Sequence, residues 1–174
     1  MIADDAQMTK KDFQHWVAGA YCKPLCGATV AWVAAGSPHG WELAQKWIDS
    51  KSPLIAAAGW GTLESLVSIK DDSELDLAEL KRLLQRVQKT IHQSPDAARR
   101  PMNSFVIAVG SYVKSLTDTA MEIGEKIGPV TADMGNTACQ MPFAPTTSEK
   151  FRNAAPSGRS ASRQNVECRR AGLE

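Results

Sequence analysis

The dipeptide Ser-Pro occurs three times in this chain, each time at the head of a segment with apolar residues at helical spacing. The three copies are Ser37-Pro38, Ser52-Pro53 and Ser94-Pro95. Serine is a favoured N-cap residue, and proline is tolerated in the first turn of a helix because its missing N–H has no intrahelical partner there. With further breaks near residues 75 and 116, these signals predict successive helices that start near 37, 52, 75, 95 and 116.

The segments between these starts have the pattern of amphipathic helices. In "LDLAELKRLLQRVQKTIH" the apolar residues Leu77, Leu80, Leu84 and Val87 fall on one stripe. No segment alternates as a strand would. Helices of about a dozen residues joined by short connections form antiparallel hairpins, and each hairpin has one apolar face to bury. We therefore predict an all-α fold of stacked antiparallel hairpins, an α-solenoid, with an irregular helical bundle as the alternative.

Composition restricts the partners that this chain can have. Apolar residues make up 43% and charged residues 22% of 174 residues, as in one ordinary folded domain. The formal net charge of +1 gives no global attraction to nucleic acid or to an anionic membrane, so such binding requires a local basic face. The longest apolar run, "GATVAWVAAG", is too short to cross a bilayer, and no leader precedes it. We expect a cytoplasmic protein with no membrane partner.

The composition changes near residue 145. The segment that follows is rich in Ser, Ala and Arg and has little apolar periodicity. We predict a helical repeat domain over 1–145 and a flexible tail over 146–174.

Three stretches carry a family resemblance. "KWIDSKSPLIAAAGWGTLESLVSIKDD", "MNSFVIAVGSYV" and "KIGPVTADMGNTACQMP" resemble the C-terminal half of bacterial DNA alkylation repair enzymes. That family consists of HEAT-like repeat proteins, and its superfamily contains glycosylases that remove alkylated purine bases. The resemblance covers roughly residues 10 to 145. It implies HEAT-like repeats, double-stranded DNA as partner, no cofactor, and a chain that lacks N-terminal repeats of the family.

The most specific part of the resemblance is the loop from Val130 to Pro142. Asp133-Met134-Gly135 and Thr137-Ala138-Cys139 look like the closing loop that follows the last repeat helix of the family. Asp and Thr side chains bond nearby backbone groups, and glycine permits a left-handed turn. We expect the loop to cap the final hairpin, with a direct role in chemistry as the alternative.

The resemblance also shows what this sequence lacks. Active members carry a Trp-Asp-x-Cys-Asp pattern before the helix start Pro-x-x-Trp-Glu, which matches Pro38, Trp41 and Glu42 here. The pattern then falls on residues 23–27, where Lys23 replaces the aromatic and Gly27 replaces the catalytic carboxylate. A glycine cannot stabilise the positive charge that develops on the sugar as the base leaves. The sequence therefore predicts that the known excision constellation is absent.

Two further family positions point the same way. The basic residue expected early in the following helix would lie among Ala56, Ala57 and Ala58, and the aromatic expected after Asn103 is Ser104. Whether any N-glycosylase activity exists stays open. The alternatives are a non-catalytic scaffold that binds DNA or protein through its concave face, and a truncated member of the family without activity.

Basic residues on the later helices can bind DNA phosphates without reading the sequence. The predicted DNA-binding residues are Arg82, Arg86, Lys89, Arg99, Arg100, Asn103 and Lys114. For the charged residues the alternative is a solvated helix face balanced by Glu74, Asp76 and Glu79. For Asn103 the alternative is a side chain that ties one repeat to the next through backbone groups.

All five tryptophans lie in the first 60 residues, at positions 16, 32, 41, 47 and 60. Each falls on a helical apolar stripe, so core packing is expected, with stacking on an exposed DNA base as the alternative. If one of them is exposed, we expect Trp41 or Trp47.

A metal site is not expected. Cys22 and Cys26 lie four residues apart and could combine with His15, but three ligands on one helix cannot close a tetrahedral zinc site. We predict small buried cysteines instead.

Overall fold

The computed structural model describes residues 5–135 and 140–154, and within these ranges the chain forms eight α-helices and no strand. The helices are α1 (Lys10–Gly19), α2 (Ala31–Gly36), α3 (Gly40–Ile48), α4 (Pro53–Ile69), α5 (Leu77–Thr90), α6 (Asp96–Tyr112), α7 (Thr117–Ile127) and α8 (Ala144–Ala154). A π-helical turn, Leu25–Val30, runs directly into α2. The prediction of an all-α fold is confirmed.

The helices form four antiparallel hairpins stacked side by side, as in HEAT-like repeats. We call α1, α3, α5 and α7 the outer layer, and α2, α4, α6 and α8 the inner layer. Within the inner layer, the Trp60 ring of α4 lies 5.5 Å from the Phe105 ring of α6, between centroids. The Ser148 hydroxyl of α8 donates to the Ile107 carbonyl of α6 at 3.2 Å. Each hairpin thus buries its apolar face against the next.

The helix starts follow their predicted signals, with one exception. Thr9 caps α1, and Ser52 with Pro53 begins α4 as predicted. The prediction that Ser37-Pro38 starts the next helix was wrong, because α3 begins at Gly40. The Ser37 hydroxyl donates to the Ala34 carbonyl at 2.8 Å and accepts from the His39 backbone N–H at 3.2 Å. It therefore stabilises the turn that follows α2.

A close approach between the π-helical turn and α4 depends on small residues. A Cβ placed on Gly61 would lie 2.6 Å from the Gly27 carbonyl oxygen, so only glycine fits there. The alanines at 56–58 are buried on the same helix. These small side chains occupy the positions where the resemblance implied a basic residue.

The predicted boundary at residue 145 falls too early. Residues 146–154 continue α8, and Ser148 is buried against Gly110 of α6. The remainder of the predicted tail, 155–174, lies outside the described residues. Of the helices that the structure describes, none is long and apolar enough to span a membrane.

Candidate nucleic-acid interface

The balance of charge differs between two opposite edges of the stack. The connections α3–α4 and α5–α6 lie at one edge, and the connections α4–α5 and α6–α7 lie at the other. We call the first the basic edge. Two acidic residues, Asp49 and Asp96, lie among its basic residues, which are Lys23, Lys51, Arg86, Lys89, Arg99 and Arg100. We call the second the acidic edge. Two basic residues, Lys70 and Lys114, lie among its acidic residues, which are Asp71, Asp72, Glu74, Asp76, Glu79 and Asp118. A helix of 17 residues such as α6 is about 25 Å long, so the two edges are well separated.

The structure does not bring all seven predicted DNA-binding residues together. Arg86 and Lys89 near the end of α5 lie at the basic edge with the pair Arg99-Arg100, which is inside α6 rather than before it. Arg82 and Lys114 lie toward the acidic edge. The Arg82 Nε donates to Glu79 at 2.7 Å, which lowers the pKa of that carboxyl. Arg82 therefore lies on a solvated helix face and is paired with Glu79, which is the alternative considered from the sequence.

Asn103 is part of the core. It is 2% exposed, and its Nδ2 donates to the Pro142 carbonyl at 2.9 Å. This bond fastens α6 to the segment just before α8. Asn103 therefore has the tying role, and its amide is not presented to a ligand.

Three cations at the basic edge are unpaired. Lys51, Lys89 and Arg100 are exposed and form no salt bridge with any residue in the described ranges. Arg99 by contrast is engaged, since its Nε donates to the Ser94 carbonyl at 2.9 Å and its guanidinium reaches Thr131. Unpaired cations can bind phosphates without first breaking an ion pair. Lys51 was missed from the sequence, although its place directly before the Ser52-Pro53 start marked it as a residue of a connection.

A cleft of about 170 Å³ opens at the basic edge between the second and third hairpins. Lys51 and Arg86 line it together with the Trp60 ring. The Arg86 guanidinium is held 2.7 Å from Asp49 and 5.8 Å from the centre of the Trp60 ring. These contacts fix the Arg86 guanidinium in place. Lys51 is the cation of the cleft that forms no salt bridge with a described residue.

The loop that follows α7 ties the ends of the stack together. Lys23 Nζ lies 2.7 Å from Asp96 Oδ2 and 3.5 Å from Asp133 Oδ2, and the Asp133 N–H donates to Asp96 Oδ1 at 2.7 Å. We call these three residues the Lys23 bridge. The bond from Lys23 and the Asp133 N–H lower the pKa of Asp96. Residues 129–135 thus pack on the start of α6. The expectation that the loop closes the stack after the last helix was wrong, because α8 follows it, and Thr137-Ala138-Cys139 lie outside the described residues.

The family's catalytic position holds no carboxylate. Lys23, where the resemblance places an aromatic, is occupied in its bridge. Gly27 is partly exposed, and a Cβ added to it would meet nothing within 4 Å. Cys26 between them is fully buried, its Sγ contacts the Ala20 carbonyl at 3.3 Å, and burial raises the pKa of its thiol. Within the described residues no cluster of three metal-ligating side chains occurs.

The open surface of the inner layer, which we call the inner face, holds Trp32, for which core packing was expected, and Glu64, which the sequence analysis did not single out. Trp32 of α2 is 66% exposed, whereas Trp47 is 1% exposed, so the expectation of Trp41 or Trp47 as the exposed tryptophan was wrong. Glu64 of α4 is mostly buried, and this burial raises its pKa to about 7 against the opposing effect of Arg100. Glu64 is the single charged residue of α4, which is the signal that could have identified it.

A stack of antiparallel hairpins with these inner and outer layers defines a HEAT-like repeat protein. The fold matches a solved structure described as a new family of proteins related to the HEAT-like repeat DNA glycosylases with affinity for branched DNA structures. The match has a TM-score of 0.83 and 29% sequence identity, and it covers 91% of this chain and 67% of that chain. The chain is therefore similar to the HEAT-like repeat proteins related to DNA glycosylases, and this similarity confirms the resemblance found in the sequence.

Two curated relatives also match. The uncharacterized protein Lmo0209 of Listeria monocytogenes is 34% identical over 110 residues, and the uncharacterized protein Lin0241 of Listeria innocua is 33% identical over 110 residues. Each match covers 63% of this chain and 46% of the relative, so the chain spans about half the length of the curated relatives it matches. No family model matches the chain.

Proposed function

We propose that this protein binds DNA, with a preference for branched structures, through its basic edge and without excising bases at the family's catalytic position. The observation that carries the proposal is that one edge of the stack holds the exposed cations Lys51, Lys89 and Arg100 without a salt bridge, while the other edge has more acidic than basic residues. Such a distribution favours one orientation on a polyanion, even though the net charge is only +1.

The preference for branches rests on two supports. The solved relative, at 29% identity, is described as having affinity for branched DNA. The three cations at the basic edge are also spread over two hairpins, with Lys51 in the α3–α4 connection and Lys89 and Arg100 on either side of the α5–α6 connection. A branch presents phosphates of more than one arm, which suits cations that are spread in this way.

Base excision is not part of the proposal, because the positions that match the family's motif supply no carboxylate. Gly27 has no side chain, and Lys23 is engaged with Asp96. An excising enzyme needs a negative charge beside the departing base to stabilise the sugar cation. Incubation of the protein with DNA that carries an alkylated purine should release no free base, and measurable release would contradict this part.

The binding proposal is tested by titrating a fluorescent four-way junction and a duplex of equal length across a series of salt concentrations. The junction should bind more tightly. Its log affinity should fall against log salt with a slope of about −3, since each neutralised phosphate contributes about −0.9. No binding at low salt by a protein whose far-UV circular dichroism is helical would sink the proposal.

A further inference from the structure

The inner face carries an exposed indole, a mostly buried carboxyl and an unpaired guanidinium on three successive helices. Trp32 lies on α2, Glu64 on α4 and Arg100 on α6. None of the three side chains forms a salt bridge with another described residue, and Glu64 and Arg100 interact only through the electrostatic effect of the guanidinium on the carboxyl. Their roles are therefore not explained by the stability of the fold.

The position of Trp32 follows from its neighbours on α2. Ala34 of α2 and Val30, the last residue of the π-helical turn, are buried with Phe13 and Trp47, so that side of the helix faces the outer layer. Ala31 faces α4, where its Cβ lies 3.2 Å from the Cβ position of residue 61. Trp32 projects from the remaining side, which is the open inner face, and this explains its exposure of 66%.

Glu64 is placed between the other two by the packing of α4. Leu63 and Val67 are buried in the core, while residue 61 contacts the π-helical turn. Arg100 and Tyr112 of α6 both interact electrostatically with the Glu64 carboxyl. The carboxyl therefore lies on the inner face on the side of α6.

The spacing of the inner helices sets the size of a ligand. Packed helices lie about 8–10 Å apart, so the backbones that carry Trp32 and Arg100, two helices apart, are roughly 16–20 Å apart. Their long side chains shorten this span. The span fits a strand of a few nucleotides and exceeds the reach of a single small molecule.

We propose that the inner face binds an unpaired segment of DNA, in which an exposed base stacks on Trp32 and a phosphate further along the strand binds Arg100. This inference rests on the proposed function and specifies the DNA feature that would be recognised, since unpaired bases occur at branch points. Stacking on an indole needs only the face of a base, so the recognition would tolerate any sequence. Glu64 lies along the path of the strand between the two contacts.

The direct test compares Trp32→Ala with the matched control Trp16→Ala, which truncates another partly exposed tryptophan, on α1 of the outer layer. The probes are a forked DNA with unpaired arms and a fully paired duplex. Because a stacked base contributes about 1–3 kcal/mol, Trp32→Ala should weaken fork binding by about 5- to 150-fold and leave duplex binding unchanged. Trp32→Phe should keep most of the fork affinity, and Trp16→Ala should match the wild type.

Several results would overturn the inference. If the wild type prefers the junction but Trp32→Ala binds the fork equally well, the stacking site fails while the proposed function stands. If Trp32→Ala weakens fork and duplex equally, the residue supports the fold instead. A loss of self-association by Trp32→Ala in sedimentation, with fork affinity unchanged, would assign the indole to a second copy of the chain. If the wild type binds no DNA, both proposals fail.

Glu64 offers a second readout of the same site. An ionised carboxylate beside the strand repels its phosphates, and a protonated one does not. The groups that face it are Arg100 and Tyr112 from α6, while Cys26 of the π-helical turn is buried in the smaller core cluster. Fork affinity of the wild type should therefore fall from pH 6 to pH 8, and Glu64→Gln should remove this fall. An identical pH profile for both proteins would place the strand elsewhere.

Discussion

The Glu64 carboxyl links the fold to pH near neutrality. Burial raises its pKa from 4.5 to about 7, so the folded protein holds a proton that the unfolded chain has already lost between these two values. Stability must therefore fall as pH rises through this window, and it levels off once the carboxyl is ionised in both states. A glutamate can be buried at position 64 because its protonated form carries no charge and so needs no ionic partner.

Glu64→Gln should remove this pH dependence. Relative to the variant, the wild type should lose roughly 3 kcal/mol of unfolding free energy between about pH 4.5 and pH 8. Urea unfolding followed by far-UV circular dichroism at several pH values measures the difference. Glu125→Gln, at an exposed position on α7, is the matched control and should keep the wild-type profile. Parallel profiles for Glu64→Gln and the wild type would show that the carboxyl is solvated.

At the scale of elements, substitution to alanine is expected to have opposite effects on stability at Gly61 and Gly27, two glycines that lie close to each other. Gly61→Ala forces its new methyl group against the Gly27 carbonyl, so it should destabilise the protein by about 1–3 kcal/mol. Gly27→Ala meets open space and should be neutral or stabilising by up to about 1 kcal/mol, because alanine loses less backbone freedom in a helical segment. The midpoints of urea unfolding check both. Equal effects would mean that the π-helical turn and α4 are not closely packed.

Helix starts were predictable from local chemistry, but the distribution of charge was not. Ser52-Pro53 and Thr9 act through their nearest neighbours, so the sequence identified them. Arg82 and Lys89 are seven residues apart and lie on the same side of α5, so the sequence pattern predicted that they belong to one DNA-binding surface. Seven residues also rise about 10 Å along the axis, and this places Arg82 toward the acidic edge. The exposure of Trp32 was not predicted, because its segment is apolar on all sides and the periodicity therefore could not show which side faces solvent.

Across the whole molecule, the Lys23 bridge connects parts that are 73 and 110 residues apart in the chain. Lys23→Met should change stability by no more than about 1 kcal/mol, because the ion pairs are partly exposed. It should still speed hydrogen exchange in residues 129–135, which lose one of their fastenings. Exchange followed by mass spectrometry measures this, and Lys10→Met, which breaks an ion pair with Glu42, is the control. Unchanged exchange in 129–135 would mean that the bonds from Arg99 and Asp96 are sufficient to hold this loop in place.

The central claim is that the basic edge, and not the acidic edge, binds DNA. Its most direct test compares two double variants that each remove two positive charges: Lys89→Gln with Arg100→Gln, and Arg82→Gln with Lys114→Gln. The quantity to measure is the salt dependence of four-way junction affinity. The first variant should bind more weakly and reduce the slope by about 2, whereas the second should match the wild type. Equal losses in both variants, or a loss in the second alone, would contradict the account.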